Sequence, residues 1–470
     1  MPHYDVFILG GGPAGQRLAR ACAAGGLSVA IAEHRGYGGT CGLRGCDPKR
    51  WMASVTEAVD GVARLAGRGA SGEAGVDWEA LVASVADFVD PKPDAALASL
   101  RKAGVTAYTG RARFTGDRSA RIAGDTRDEG EGVGADVEVT AEHLVVATGQ
   151  RPRPLEVPGG EHAKTSDDFH RLPELPRRLL FVGGGYIALE SAHIARRCGA
   201  EVTIVNDDDD PLAVFDDDLA ARLLDLTADL GIEVVMNTEV AAIEPLDAGG
   251  FRVRTEGKGE DGAAGSYEVD LVLNTSGRVP NVDALGLGRA GVETTDAGIP
   301  VDEHYRARGN PRVYAIGDCA DGNGPPLTPV ANHDADALAA TLTTGTPTRA
   351  DYTGLATAVY TLPELAMVGL TESEARERGI DLEVTARLDH DDAFNARRVN
   401  ARAYGYKTLV DRATGKLVGA HLLGPRASEV INVFALALRA DLDAALLSGV
   451  PWAYPTWGGD ASGMVPEEGA

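Results

Sequence analysis

Two stretches of this 470-residue chain follow one pattern that few folds accommodate. The first runs from an apolar segment, Asp5–Leu9, through Gly10-Gly11-Gly12-Pro13-Ala14-Gly15 into a helical stretch to about Ala24 and a second apolar segment, Ser28–Glu33. The second runs from Arg178–Val182 through Gly183-Gly184-Gly185-Tyr186-Ile187-Ala188 into a helical stretch to about Cys198 and the segment Glu201–Val205. Short apolar runs punctuated by glycine predict buried strands, and the spacing predicts a β-α-β unit each time. Glycines at these turns let the backbone approach a pyrophosphate, whose charge the first N–H groups of the following helix can meet. One such turn is weak evidence, but two, each bracketed by strand and helix, predict two dinucleotide sites. A flavin and a nicotinamide are the economical pairing.

Between the two units the sequence reads as helix-rich over about 51–105, then β-rich up to Leu144-Val145-Val146-Ala147-Thr148-Gly149. The second nucleotide segment ends near Leu271–Arg278, and a strand over Val313–Ile316 leads into Gly317-Asp318. From about 350 the pattern changes to short strands and amphipathic helices, with a strand pair over Lys407–Val410 and Leu417–Leu423. The glycine-rich polar stretches Gly124–Gly134 and Gly257–Gly265 predict hairpin loops.

Composition excludes several classes. A net charge of −25 would repel a phosphate backbone, so no nucleic-acid partner is expected. Lysine is scarce, at seven against 38 arginines. No run approaches the ~20 apolar residues of a membrane span, and the N-terminus lacks a secretory signal pattern, so no membrane partner and a cytoplasmic location are expected. Five cysteines are too few and too scattered for a disulfide scaffold. Cys22, Cys198 and Cys319 read as structural thiols, whereas Cys41 and Cys46 sit four residues apart at a predicted loop-to-helix junction, where a helix N-terminus stabilises a thiolate. A zinc half-site is disfavoured because neither a second cysteine pair nor a nearby histidine pattern accompanies them, and no metal is expected.

The stretch Gly38-Gly39-Thr40-Cys41-Gly42-Leu43-Arg44-Gly45-Cys46-Asp47-Pro48-Lys49 resembles the redox motif of the class I pyridine-nucleotide-disulfide oxidoreductases. The motif order of that family extends along the chain, through Ala147-Thr148-Gly149, Gly183 to Glu190, Gly277-Arg278-Val279-Pro280-Asn281, Gly317-Asp318, Leu327-Thr328-Pro329-Val330-Ala331 and Pro363-Glu364-Leu365-Ala366-Met367-Val368-Gly369. The resemblance implies an α/β fold with two Rossmann-like nucleotide-binding domains and a C-terminal α+β dimerisation domain. It implies an FAD domain over 1–150 and 276–345, an NAD(P) domain over 151–275 and an interface domain over 346–470.

It also implies a homodimer with FAD and NADH or NADPH as cofactors. Electrons would pass from nicotinamide through the flavin to the Cys41–Cys46 disulfide, and by thiol–disulfide exchange to a small-molecule or protein disulfide. Cys46 would face the flavin and Cys41 the substrate. Lys49 would lie by the flavin and pair with Glu190, while Tyr186 would cover the nicotinamide pocket. The FAD-binding residues implied are Gly10, Gly12, Pro13, Ala14, Gly15, Glu33, Gly39, Thr40, Lys49, Ala112, Thr148, Gly149, Arg278, Gly317, Asp318 and Thr328, with Gly183, Gly185 and Asn206 at the nicotinamide site.

The sequence departs from that pattern near its C-terminus. Disulfide-reducing members carry a His-Pro-Thr segment whose histidine, supplied by the partner subunit and oriented by a glutamate, is the acid/base. This chain reads Ala453-Tyr454-Pro455-Thr456-Trp457-Gly458-Gly459-Asp460, with Tyr454 in the histidine position, Gly459 in the glutamate position and Asp460 one residue later. A tyrosine of ordinary pKa, ~10, is a poor base at neutral pH but can donate a hydrogen bond. Mercuric reductases resemble the chain in having a tyrosine there, but this chain has no cysteine after Cys319. The alternatives are a thiol oxidase using O2, a metal-ion reductase and a low-turnover flavin redox sensor. Leu43, where relatives carry Asn, reads either as loop packing or as an altered substrate funnel. The acidic run Asp207–Asp210 after the second unit would repel a 2′-phosphate, so NADH is the expected cofactor, bound through Asn206 or Asp207.

Overall fold

The computed structural model describes residues 1–124, 136–259, 262, 264–322 and 324–466; the stretch predicted as a hairpin loop over Gly124–Gly134 falls almost wholly outside them. Contacts divide the chain into two compact units, one of Met1–Pro48, Ala83–Arg153 and Gly277–Tyr352, the other of Lys49–Val82, Pro154–Ser276 and Thr353–Ala470.

In the first unit the strands His3–Leu9, Val29–Glu33, Thr106–Thr109, Val137–Val146 and Val313–Ala315 form a parallel sheet, extended by the antiparallel strands Ser119–Ala123 and Arg111–Phe114. Val6, Phe7, Ile8 and Leu9 are all buried, as a central parallel strand with both faces covered requires. Odd and even positions enter separate cores: Phe7 and Leu9 join Tyr108, Phe114 and Leu144, while Val6 and Ile8 join Leu18, Leu100 and Leu338. The helix Pro13–Ala24 begins with proline at its first position, where no N–H is needed. It packs on the helix Thr328–Thr344 so closely that a Cβ on Gly25 would lie 2.3 Å from Thr343 Cγ2.

In the second unit a five-stranded parallel sheet has the order Ile232–Val235, Glu201–Val205, Arg178–Val182, Leu271–Asn274, Lys164–Thr165. The strand Phe251–Gly257 pairs antiparallel with Gly265–Val269, which gives the second predicted hairpin its two arms. The C-terminal segment forms a five-stranded antiparallel sheet, with Gly405–Asp411 beside Leu417–Gly424 as the strand pair expected there, covered by the helix Ala427–Arg439. Among the described residues no helix is long and apolar enough to cross a membrane.

Candidate active site

The predicted glycine turns are built alike. Gly10 has φ +113°, and a Cβ there would lie 2.3 Å from the Ala147 carbonyl oxygen; Gly183 has φ +92° and would place one 2.6 Å from Ser276 Cα. Each turn is anchored to the end of the next strand. The Gly11 N–H donates to Glu33 Oε2 at 2.8 Å, and the Gly184 N–H donates to Asn206 Oδ1 at 2.7 Å. Glu33 Oε1 also accepts from the His34 and Arg35 N–H groups, at 2.7 and 2.6 Å.

A cleft runs over the first turn with about 1160 Å³ of free space, its open mouth included. Gly10, Gly12, Pro13 and Ala14 form its floor, Glu33 and Ala112 one end, and Gly39, Thr40 and Cys41 a wall. Thr148, Gly149, Gly317, Asp318 and Thr328 complete it. Of the residues expected there, Lys49 is not among its lining, and two others take supporting positions. Gly15 is buried beneath the turn, where a Cβ would meet the Gly10 carbonyl oxygen at 2.0 Å. Arg278 holds the wall by donating to the Gln150 carbonyl at 2.8 Å and to Thr40 Oγ1 at 3.4 Å.

These surroundings fit a dinucleotide such as FAD. The nearest atom to a Cβ on Gly12 would be 3.8 Å away, so the floor is open where a pyrophosphate would rest. The unsatisfied first-turn N–H groups of the helix Pro13–Ala24 point their positive dipole end there. Burial raises the Asp318 carboxyl above its ordinary range, partly offset by Arg278.

The redox segment folds as two helices, Gly39–Arg44 and Cys46–Arg64, broken at Gly45. Gly39, at φ +65°, would bring a Cβ within 2.7 Å of Gly12 Cα, so this segment is seated directly on the glycine turn. Leu43 is buried and packs under Gly38, where a Cβ would meet Leu43 Cγ at 2.7 Å; this supports its packing reading. Both cysteines are thiols, and Cys41 shares a hydrogen bond with Cys46. That shared bond, then burial, pushes the Cys41 thiol well above the ordinary cysteine range, with a Thr328 hydrogen bond opposing. Cys41 lines the cleft, and Cys46, an exposed residue, begins the next helix beyond the Gly45 break.

Cys41 lines a second cleft as well, with Arg17, Arg20, Asp47, Asn332 and Asp336 among its walls. Arg17 is tied to Asp336 by two bonds of 2.6 and 2.7 Å. Arg20 donates to Gln16 Oε1 at 3.3 Å, and burial and Arg17 lower its pKa. Neither arginine was identified from sequence; their only signal was a basic pair on the helix face after the first turn.

Lys49 lies one turn beyond Cys46 on the helix Cys46–Arg64. In the second unit it pairs with Glu190, and its Nζ lies 5.3 Å from the centre of the Tyr186 ring. Glu190 is 1% exposed, and its Oε1 accepts the Tyr360 N–H at 2.7 Å, an anchor that sequence reading missed. Tyr186 is 45% exposed at the start of the helix Tyr186–Arg197, whose N-terminus follows Gly185. Asn206 is buried, with Nδ2 donating to the Asp208 carboxylate at 2.6 Å. A cation absent from the local sequence stands here too: Lys258 Nζ lies 3.2 Å from Asp207 and 3.2 Å from Glu239.

Tyr454 is 87% exposed on a cis Tyr454–Pro455 bond, its ring 6.4 Å from Phe394. Asp460 accepts from Tyr404 Oη at 2.7 Å and from Asn395 Nδ2 at 2.9 Å, so both its oxygens hold this segment together and it is a poor substitute for the absent acid/base. Burial explains the remaining cysteines, raising Cys22 and Cys198 to about 12 and Cys319 in the same direction.

Comparison with known proteins agrees with this architecture. Residues 4–335 match the family model described as pyridine nucleotide-disulphide oxidoreductase, and residues 355–461 match its dimerisation domain. The chain belongs to this family of flavin-dependent disulfide oxidoreductases, which use FAD and NAD(P)H. It is 33% identical to a glutathione reductase of Burkholderia cepacia, over 94% of this chain and 95% of that one. It is 31% identical to a glutathione reductase of Nostoc sp., over 93% and 94%. It is 32% identical to dihydrolipoyl dehydrogenase 2 of Haloarcula marismortui, over 96% and 94%.

Proposed function

We propose that this enzyme reduces an anionic disulfide with NADH, through the reaction NADH + H⁺ + RSSR → NAD⁺ + 2 RSH. The observation that carries this reading is the position of Cys41 in the walls of both clefts of the first unit. A sulfur there can exchange with a disulfide entering the arginine-lined cleft while belonging to the wall of the dinucleotide cleft. Arg17 is neutralised by Asp336, whereas Arg20 has no carboxylate partner among the described residues. A substrate carboxylate would fill that role, and a charge-assisted pair with arginine is strong in partly buried surroundings.

FAD held in the dinucleotide cleft would supply the relay between a two-electron hydride donor and the dithiol. The nucleotide roles proposed are FAD binding for 1–150 and 276–345, NAD(P)H binding for 151–275 and dimerisation for 346–470. The residues around the chemistry divide by what they hold. Gly39 and Thr40 seat the cysteine segment. Glu190 buries a carboxylate that fixes the Lys49 ammonium, and Tyr186 stands exposed at the entrance of the nicotinamide domain. Cys41 attacks the substrate disulfide, forming a mixed disulfide and releasing the first thiolate; Cys46 then displaces the second and closes the Cys41–Cys46 disulfide. Tyr454 of one copy donates a hydrogen bond to a departing thiolate at its neighbour's dithiol in the homodimer.

A turnover screen tests the reading: NADH and NADPH against glutathione disulfide, lipoamide and cystamine, the last a cationic disulfide. Preference for glutathione disulfide over cystamine, lost in Arg20→Gln, supports the reading, and efficient cystamine reduction overturns the anionic assignment. The sulfurs are told apart by trapping. Cys46→Ser should accumulate a mixed disulfide through Cys41, and trapping through Cys46 in Cys41→Ser would reverse the roles.

A further inference from the structure

A β-α-β dinucleotide unit ordinarily ends its second strand in an acid that accepts hydrogen bonds from the adenosine ribose. In the second unit that position is held by Asn206, whose amide is engaged at both ends. Its Oδ1 accepts the Gly184 N–H at 2.7 Å, and its Nδ2 donates to Asp208 Oδ1 at 2.6 Å and to the Asp208 carbonyl at 3.1 Å. The turn packs closely against it, since a Cβ on Gly184 would lie 2.9 Å from Asn206 Cγ. Asp208 is correspondingly fixed. Its carbonyl also accepts from the Asn237 N–H at 3.1 Å, and its Oδ1 accepts from the Asp210 N–H at 3.2 Å. Its Oδ2 has no hydrogen bond among the described residues.

We infer that Asp208, positioned by the Asn206 amide against the glycine turn, is the residue that accepts the ribose hydroxyls and sets the preference for NADH over NADPH. Asn206 is a positioning residue, which moves the acid two places along the chain. Asp207 turns instead to Lys258, whose Nζ lies 3.2 Å from its carboxylate. Lys258 is shared with Glu239 and is thereby withheld from a 2′-phosphate. A phosphate bearing nearly two charges would meet the Asp208 carboxylate, and among the described residues the cation nearest the acidic run, Lys258, already bridges Asp207 and Glu239.

The inference rests on reading the second unit as the nicotinamide site, but its test needs no disulfide substrate. Anaerobic reduction of the bound flavin is followed with NADH, NADPH and the 2′-deoxyadenosine analogue of NADH; flavin content serves as the check on folding. The wild type should favour NADH over the deoxy analogue about tenfold, the size of one charge-assisted hydrogen bond of ~1.4 kcal/mol. Asp208→Asn should cut that ratio to threefold or less and raise NADPH relative to NADH. Asn206→Ala should cut it partially, because the acid survives without its support. If Asp208→Asn keeps the full hydroxyl preference in an enzyme that favours NADH, only this inference fails. A wild type that favours NADPH overturns it together with the cofactor reading.

Discussion

The two β-α-β units solve one backbone problem with different charges. Both strap the middle glycine of the turn to a side chain 22 residues later, Gly11 to Glu33 and Gly184 to Asn206, at nearly equal distances. In the first unit the strap is a carboxylate that collects three N–H groups at the strand end. In the second it is a neutral amide that passes the acidic position on to Asp208. The third fingerprint position differs in the same direction. Gly15 is pressed against the Gly10 carbonyl, whereas the second unit accommodates Ala188.

Substitutions at equivalent positions should therefore have unequal effects. The largest is expected from Glu33→Ala, which removes the acceptor of three N–H groups at once, of which the Gly11 N–H is part-buried; leaving that one unsatisfied costs about 1–3 kcal/mol. The protein should purify largely without flavin absorbance and melt earlier, and a fully yellow variant would break the comparison. Next comes Gly39→Ala, because its Cβ would press on Gly12 backbone at a positive φ that alanine disfavours. Flavin content should fall at least tenfold, measured against protein absorbance. Gly184→Ala should be milder, since the obstructing atoms belong to the Asn206 side chain: the KM for NADH should rise severalfold while flavin content and kcat hold. Asn206→Asp keeps the acceptor for Gly184 but sets two carboxylates against each other, and should raise the KM for NADH by about tenfold at low salt and less at high salt. The smallest effect belongs to Lys258→Gln, an exposed ion pair, with the KM for NADH expected within about twofold of wild type.

Local sequence carried the two turns because glycine, strand and helix follow one another within about thirty residues, and each position answers a nearby steric demand. Glu33 was legible for the same reason. The Lys49–Glu190 pair was accessible only through the family resemblance, because nothing in either residue's neighbourhood points to a partner 141 positions away. Lys258 was invisible at the acidic run, since a hairpin brings it there from 51 residues downstream. Asn206 and Asp207 are the natural candidates for the ribose from sequence, whereas the case for Asp208 rests on the amide's three hydrogen bonds, which spacing does not encode.

The contact between Gly39 and Gly12 bears on how such an enzyme can be altered. The cysteine segment and the phosphate turn touch through two residues that have no side chains to trim or reshape. A cysteine pair grafted onto another nucleotide-binding protein would therefore need this glycine turn grafted with it. Inheritance faces the same restriction, so the two pieces are expected to be gained or lost together rather than exchanged one at a time.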